Sequence, residues 1–120
     1  MRVLIVESRK PLALLWADHL RGLGWEVRVA HDQAAAIRVL NIEAVQIMLL
    51  DLVLDHGAAL AVADYAGFRQ PDLRVVFLTD TSVFSDGSIF RHCANACAHL
   101  QSEIPVSDLA TLVEHYARAA

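Results

Sequence analysis

Short apolar runs alternate with stretches of helical periodicity along the whole of this 120-residue chain, and that alternation limits its architecture more than any other feature. Val3 to Val6 is a nearly continuous apolar run, as expected of a strand covered on both faces. From Pro11 the period changes, and Leu12, Leu15, Trp16, Leu20 and Leu23 fall on one helical face. Pro11 suits a first helical turn, and Gly24 suits the position just past the end. Trp25 to Ala30 alternates like a partly exposed strand, after which Asp32 can cap a helix packing through Ala35, Ala36, Val39 and Leu40. Val45 to Leu50 is the expected central strand and runs into Asp51. A third helix is expected over Leu60 to Phe68, and a fourth strand over Arg74 to Leu78, ending on Thr79. Asp86 or Ser85 can start a fourth helix reaching about Ala96, with a short fifth strand over Ala98 to Leu100. Beyond Pro105, Ser107 can cap a last helix with Leu109, Leu112, Val113 and Tyr116 on its inner face.

Strands that alternate with helices throughout imply a parallel sheet covered on both faces, and right-handed crossovers leave few ways to wind it. The expected fold is α/β, a doubly wound, five-stranded parallel sheet of flavodoxin-like order 2-1-3-4-5 with helices on both faces, one domain over residues 1–120. Apolar residues make up 56% of the chain and charged residues 20%, which argues against disorder. No apolar segment approaches the roughly 18 residues of a membrane span, and no secretory leader is evident, so a cytoplasmic protein is expected. The formal charge of −4, with its cations scattered, argues against direct nucleic acid binding. Cys93 and Cys97 stand four apart on an expected helix, which suits burial better than a disulfide or a metal site.

Open α/β sheets place ligands at the carboxyl ends of their strands. Glu7 and Ser8, Asp51, Thr79 and the stretch Gln101 to Ser102 occupy those ends here. An ionisable group at the end of the most buried strand either faces solvent at a cleft or is held against a desolvation penalty. The ordinary role for Asp51 is to cap the loop that follows it. Its expected company, Thr79 on a neighbouring strand and Glu7 after the first, makes a polar set on one open rim.

Ile47-Met48-Leu49-Leu50-Asp51-Leu52 resembles the phosphoacceptor strand of response regulator receiver domains. Val75-Val76-Phe77-Leu78-Thr79 resembles their fourth strand, Val3-Leu4-Ile5-Val6-Glu7 their first, and Gly22-Leu23-Gly24-Trp25-Glu26-Val27 the turn into their second. The resemblance implies two-component signalling, a phosphorelay in which Asp51 accepts a phosphoryl group from a histidine kinase or phosphotransfer protein. Thr79 would be the switch hydroxyl. A divalent cation, usually magnesium, would be held by Glu7, Asp51 and the Val53 backbone carbonyl. A downstream protein partner, or a second copy, would meet the face of the fourth helix, fifth strand and fifth helix. No enzymatic activity, nucleic acid or membrane is implied.

The chain departs from that family at several places. Ser8 stands where a second acidic residue is usual, and Ser102 where a lysine normally pairs with the acyl phosphate. Asp80 follows Thr79 in place of a small residue, His99 takes the aromatic switch position, and Leu54-Asp55-His56 replaces a Met-Pro pattern. The missing lysine and Ser8 favour the alternative function, a phosphorylation-independent pseudo-receiver acting as an interaction or dimerisation module, which stands second to the phosphoacceptor reading. A small-molecule enzyme on the same fold is disfavoured, because Glu7-Ser8-Arg9-Lys10 stands where a glycine-rich phosphate loop would be.

Overall fold

The computed structural model describes residues 1–79, 96–101 and 104–118, and for 96–101 and 118 it describes the backbone alone. The strands are β1 (Arg2–Val6), β2 (Glu26–Ala30), β3 (Ile47–Asp51), β4 (Arg74–Thr79) and β5 (Ala96–Gln101). Four helices lie among the described residues: α1 (Lys10–Gly22), α2 (Gln33–Ile42), α3 (Ala59–Arg69) and α4 (Val106–Arg118). Neighbouring strands are all parallel, in the order β2-β1-β3-β4, with β5 outside β4. That order is flavodoxin-like, and it puts the ends of β1, β3 and β4 side by side.

Side chains alternate across the sheet, so the continuous apolar runs feed two cores. Leu4, Val6, Met48, Leu50, Val75 and Phe77 pack against α2 and α3 through Ala36, Leu40, Val62 and Ala66. Val3, Ile5, Ile47, Leu49, Val76 and Leu78 pack on the opposite face against Trp16, Leu20, Leu109 and Val113 of α1 and α4. No described helix is long and apolar enough to cross a membrane.

Two local expectations hold in detail. Asp32 caps α2, its side chain accepting from the Ala35 N–H at 2.8 Å. Gly24 follows α1 with φ +96, a backbone angle that favours glycine, while the Trp25 N–H donates back to the Leu20 carbonyl at 3.1 Å.

Several differ. The buried stripe of α1 runs through Ala13, Trp16, Ala17 and Leu20, whereas Leu15 and Leu23 are each 53% exposed. The small alanines let the helix backbone lie close to the sheet, and this rotates the larger leucines outward. The ends of the expected third helix, Leu60 and Phe68, are exposed as well, and α3 packs through Ala59, Val62, Ala63 and Ala66. α4 starts one residue before Ser107, with the Asp108 and Leu109 N–H groups donating to the Pro105 carbonyl, so Ser107 sits inside the first turn instead of capping it. Cys97 lies in β5, not on a helix, and Ala96 begins that strand. The expected fourth helix falls largely outside the described residues, as do Asp80, His92, Cys93, Ser102 and Glu103.

Candidate functional site

Three strand ends assemble the site. The β1 run ends at Val6, and Glu7 continues from it with its N–H bonded to the Ala30 carbonyl at 3.0 Å. Asp51 is the last residue of β3 and stands in register with Leu78 on β4, one residue short of Thr79. The topology therefore brings Glu7, Asp51 and Thr79 to one edge of the sheet. It does not leave them on an open rim: Glu7 and Thr79 are 0% exposed and Asp51 is 4% exposed.

Arg9 explains much of how the acids are held. Its Nε donates to Glu7 Oε1 at 2.6 Å, and its second guanidinium nitrogen lies 3.7 Å from Asp51 Oδ2. Arg9 is also the N-cap residue of α1, where a short polar side chain would ordinarily turn back onto the helix. No such bond forms, because a guanidinium carries only donors, and here they point to the carboxylates. The ordinary role of Asp51 is present too, since Oδ1 accepts the Val53 N–H at 3.0 Å. Val53 thus meets Asp51 through its amide.

Glu7 Oε2 is buried without a hydrogen-bond donor, and the Asp51 carboxyl lies within hydrogen-bonding reach of the Glu7 carboxyl. Burial, reinforced by the Asp51 hydrogen bond and charge, pushes the Glu7 carboxyl up to about 8, and Arg9 pulls the other way. The neutral form of the Glu7 carboxyl is therefore favoured inside the fold, with Arg9 set against both acids.

Ser8 has structural work of its own. Its hydroxyl donates to the His31 carbonyl at 3.1 Å and accepts the Asp55 N–H at 2.9 Å, tying together the loops that follow β1, β2 and β3. His31 closes the same knot, its Nδ1 lying 2.9 Å from the Glu7 carbonyl oxygen. Sequence reasoning missed both Arg9 and His31 at this site. The signal for Arg9 was its place two residues after the acid at the end of β1, at a helix start lacking a short polar cap.

These residues do not fit a divalent cation. Magnesium takes a near-octahedral shell of oxygen ligands and retains several waters. Among the described residues, no group of three or more His, Cys, Asp and Glu side chains is placed to hold a metal. Of the four carboxylate oxygens, Glu7 Oε1 and Asp51 Oδ2 face Arg9 and Asp51 Oδ1 faces the Val53 amide, which leaves only the fully buried Glu7 Oε2 without a donor. The Ser8 hydroxyl, fixed between two loops, brings no negative charge to the set.

No protein-family model matches the chain, and no curated protein matches it. Solved structures do. The receiver domain of NtrX from Brucella abortus is 23% identical and superposes with a TM-score of 0.88 over 98% of this chain and 99% of that one. The N-terminal domain of a response regulator/sensory box/GGDEF 3-domain protein from Carboxydothermus hydrogenoformans is 26% identical, with a TM-score of 0.86 over 98% and 94%. A response regulator protein from Burkholderia pseudomallei, solved with a phosphorylated aspartic acid, calcium ion and citrate, is 22% identical, with a TM-score of 0.81 over 98% and 72%. The chain has the fold of response regulator receiver domains.

Proposed function

We propose that the chain is a cytoplasmic receiver module of two-component signal transduction, with Asp51 accepting a phosphoryl group from a histidine kinase or phosphotransfer protein. The observation that carries this reading is the meeting of Asp51, Glu7 and Thr79 at adjacent carboxyl ends of β3, β1 and β4 on a receiver fold. In the transfer, an Asp51 carboxylate oxygen attacks phosphorus in line with the donor imidazole. The new O–P bond forms as the P–N bond breaks, and the electron pair stays on the imidazole nitrogen. Such chemistry depends on positioning and on neutralising charge. Arg9 already stands at the acceptor, and Thr79 is assigned to a phosphoryl oxygen and to passing the change toward β5 and α4. A downstream protein or a second copy would read that surface.

Phosphoramidate, a small phosphoryl donor, tests the assignment by intact mass. The wild type is expected to gain one phosphoryl group and Asp51→Ala none. A chain left unmodified, which also shows no response near Asp51 and Thr79 to the phosphoryl mimic beryllofluoride, would overturn it. That outcome would favour the second reading, a phosphorylation-independent interaction module. A specific observation supports this alternative: Asp51 is nearly covered and already engaged by Arg9 and the Val53 amide.

A further inference from the structure

We propose that the Arg9 guanidinium serves as a tethered cation in the Glu7–Asp51 pocket and closes it to divalent metal ions. This goes beyond the phosphoacceptor assignment and rests on it only for the identity of the pocket. A receiver-like site that brings two carboxyls together needs positive charge to hold them, and here the chain itself supplies it. Arg9 reaches Glu7 Oε1 at 2.6 Å and Asp51 Oδ2 at 3.7 Å, so one planar group spans both acids. Guanidinium suits that task better than an ammonium, because its donors lie in a fixed fork and it stays charged at any ordinary pH. A metal ion would have to displace Arg9 from an acid that has no exposed surface.

The third place in the pocket points the same way. Ser8 offers no carboxylate, and its hydroxyl joins the His31 carbonyl to the Asp55 amide. A neutral hydroxyl fixed between two loops offers a cation far less than the carboxylate that would neutralise its charge. The Arg9 position is also anchored by the fold, since it is the N-cap of a helix buried through Trp16 and Leu20. Its backbone therefore stays beside the acids, and only side-chain rotation could vacate the site. Any phosphoryl group arriving at Asp51 would meet this guanidinium first, making acceptance independent of added metal.

Manganese and magnesium titrations of the whole chain, followed by amide NMR, test the proposal. In the wild type, millimolar manganese should produce no saturable broadening at Glu7, Asp51 or Val53, and the Arg9 Nε–H should keep its shift as magnesium is added. The Ser8→Asp/Arg9→Ala double variant should gain saturable broadening at those amides, with affinity up by about tenfold or more, the scale on which surrounding groups tune metal sites. Arg9→Lys keeps a charge at this position and should remain silent. The proposal is overturned if the wild type binds manganese at those amides, or if magnesium moves the Arg9 Nε–H. It also fails if the folded double variant stays as silent as the wild type, because Arg9 would then not be what excludes the ion. The wild-type titration stands even if the variants do not fold. Phosphoramidate with and without a chelator separates the two ideas. Metal-dependent modification at Asp51 would sink the tethered cation and spare the acceptor, whereas no modification beside a metal-silent pocket would do the reverse.

Discussion

The Glu7 carboxyl is fully buried, faces a second carboxyl and has one oxygen with no donor, so its charged form is disfavoured inside the fold. Burial pushes the carboxyl up to about 8 from its ordinary 4.5, so between those limits the native state holds a proton that the unfolded chain has released. Stability linked to Glu7 is therefore fully present below pH 4.5 and is lost as pH rises toward 8, by an amount on the order of a few kcal/mol. Glu7→Gln mimics the protonated carboxyl and should flatten that slope, most visibly above neutrality. Chemical denaturation of both proteins across this range checks it, and parallel pH profiles would count against a protonated Glu7. Ser8 shows how a residue can be read correctly as a departure and still be misjudged in its work. The sequence showed a missing carboxylate, whereas the structure shows a hydroxyl satisfied by two backbone groups from distant loops.

At the scale of elements, the two helix starts beside the site make a useful contrast. α2 has an ordinary cap, Asp32 on the Ala35 N–H, and its formation was legible from an acidic residue ahead of an apolar helical face. Asp32→Ala should lower stability by about 1 kcal/mol, measured by urea denaturation, and should leave phosphoryl acceptance at Asp51 unchanged. α1 has no side-chain cap, because the Arg9 guanidinium has only donors to offer, and they go to the carboxylates. The connection from α2 to β3 depends on Gln70, which accepts the Val45 N–H at 2.8 Å and donates to the Leu40 and Glu43 carbonyls at 3.0 and 2.8 Å. Nothing local marks Gln70 for that role, since its partners lie at least 25 positions away. The expected α1 stripe holds at Leu12, Trp16 and Leu20 and fails at Leu15 and Leu23 for a related reason. Leucines at helical spacing identify a face only if the largest apolar groups are the buried ones, and here alanines at the contact let backbone approach sheet.

Across the whole molecule, one sheet is shared by two cores, so damage to either side should be felt by both. Trp16→Ala, under α1, and Phe77→Ala, under α2 and α3, should each cost about 3–5 kcal/mol. Each variant should still unfold in a single transition with coincident circular dichroism and fluorescence, and separated transitions would mean that the two faces unfold independently. The chain's own pattern determined the order of its elements, the burial of β1, β3 and β4 on both sides, and the placing of Glu7, Asp51 and Thr79 at strand ends. Those properties follow from local periodicity and from the few ways a parallel sheet can be wound. Tertiary structure alone decided that the acids would be covered, that Arg9 would span them, and that Ser8 would tie loops together. Side-chain reach and loop closure depend on distances between segments far apart in the chain, and no local pattern encodes those distances.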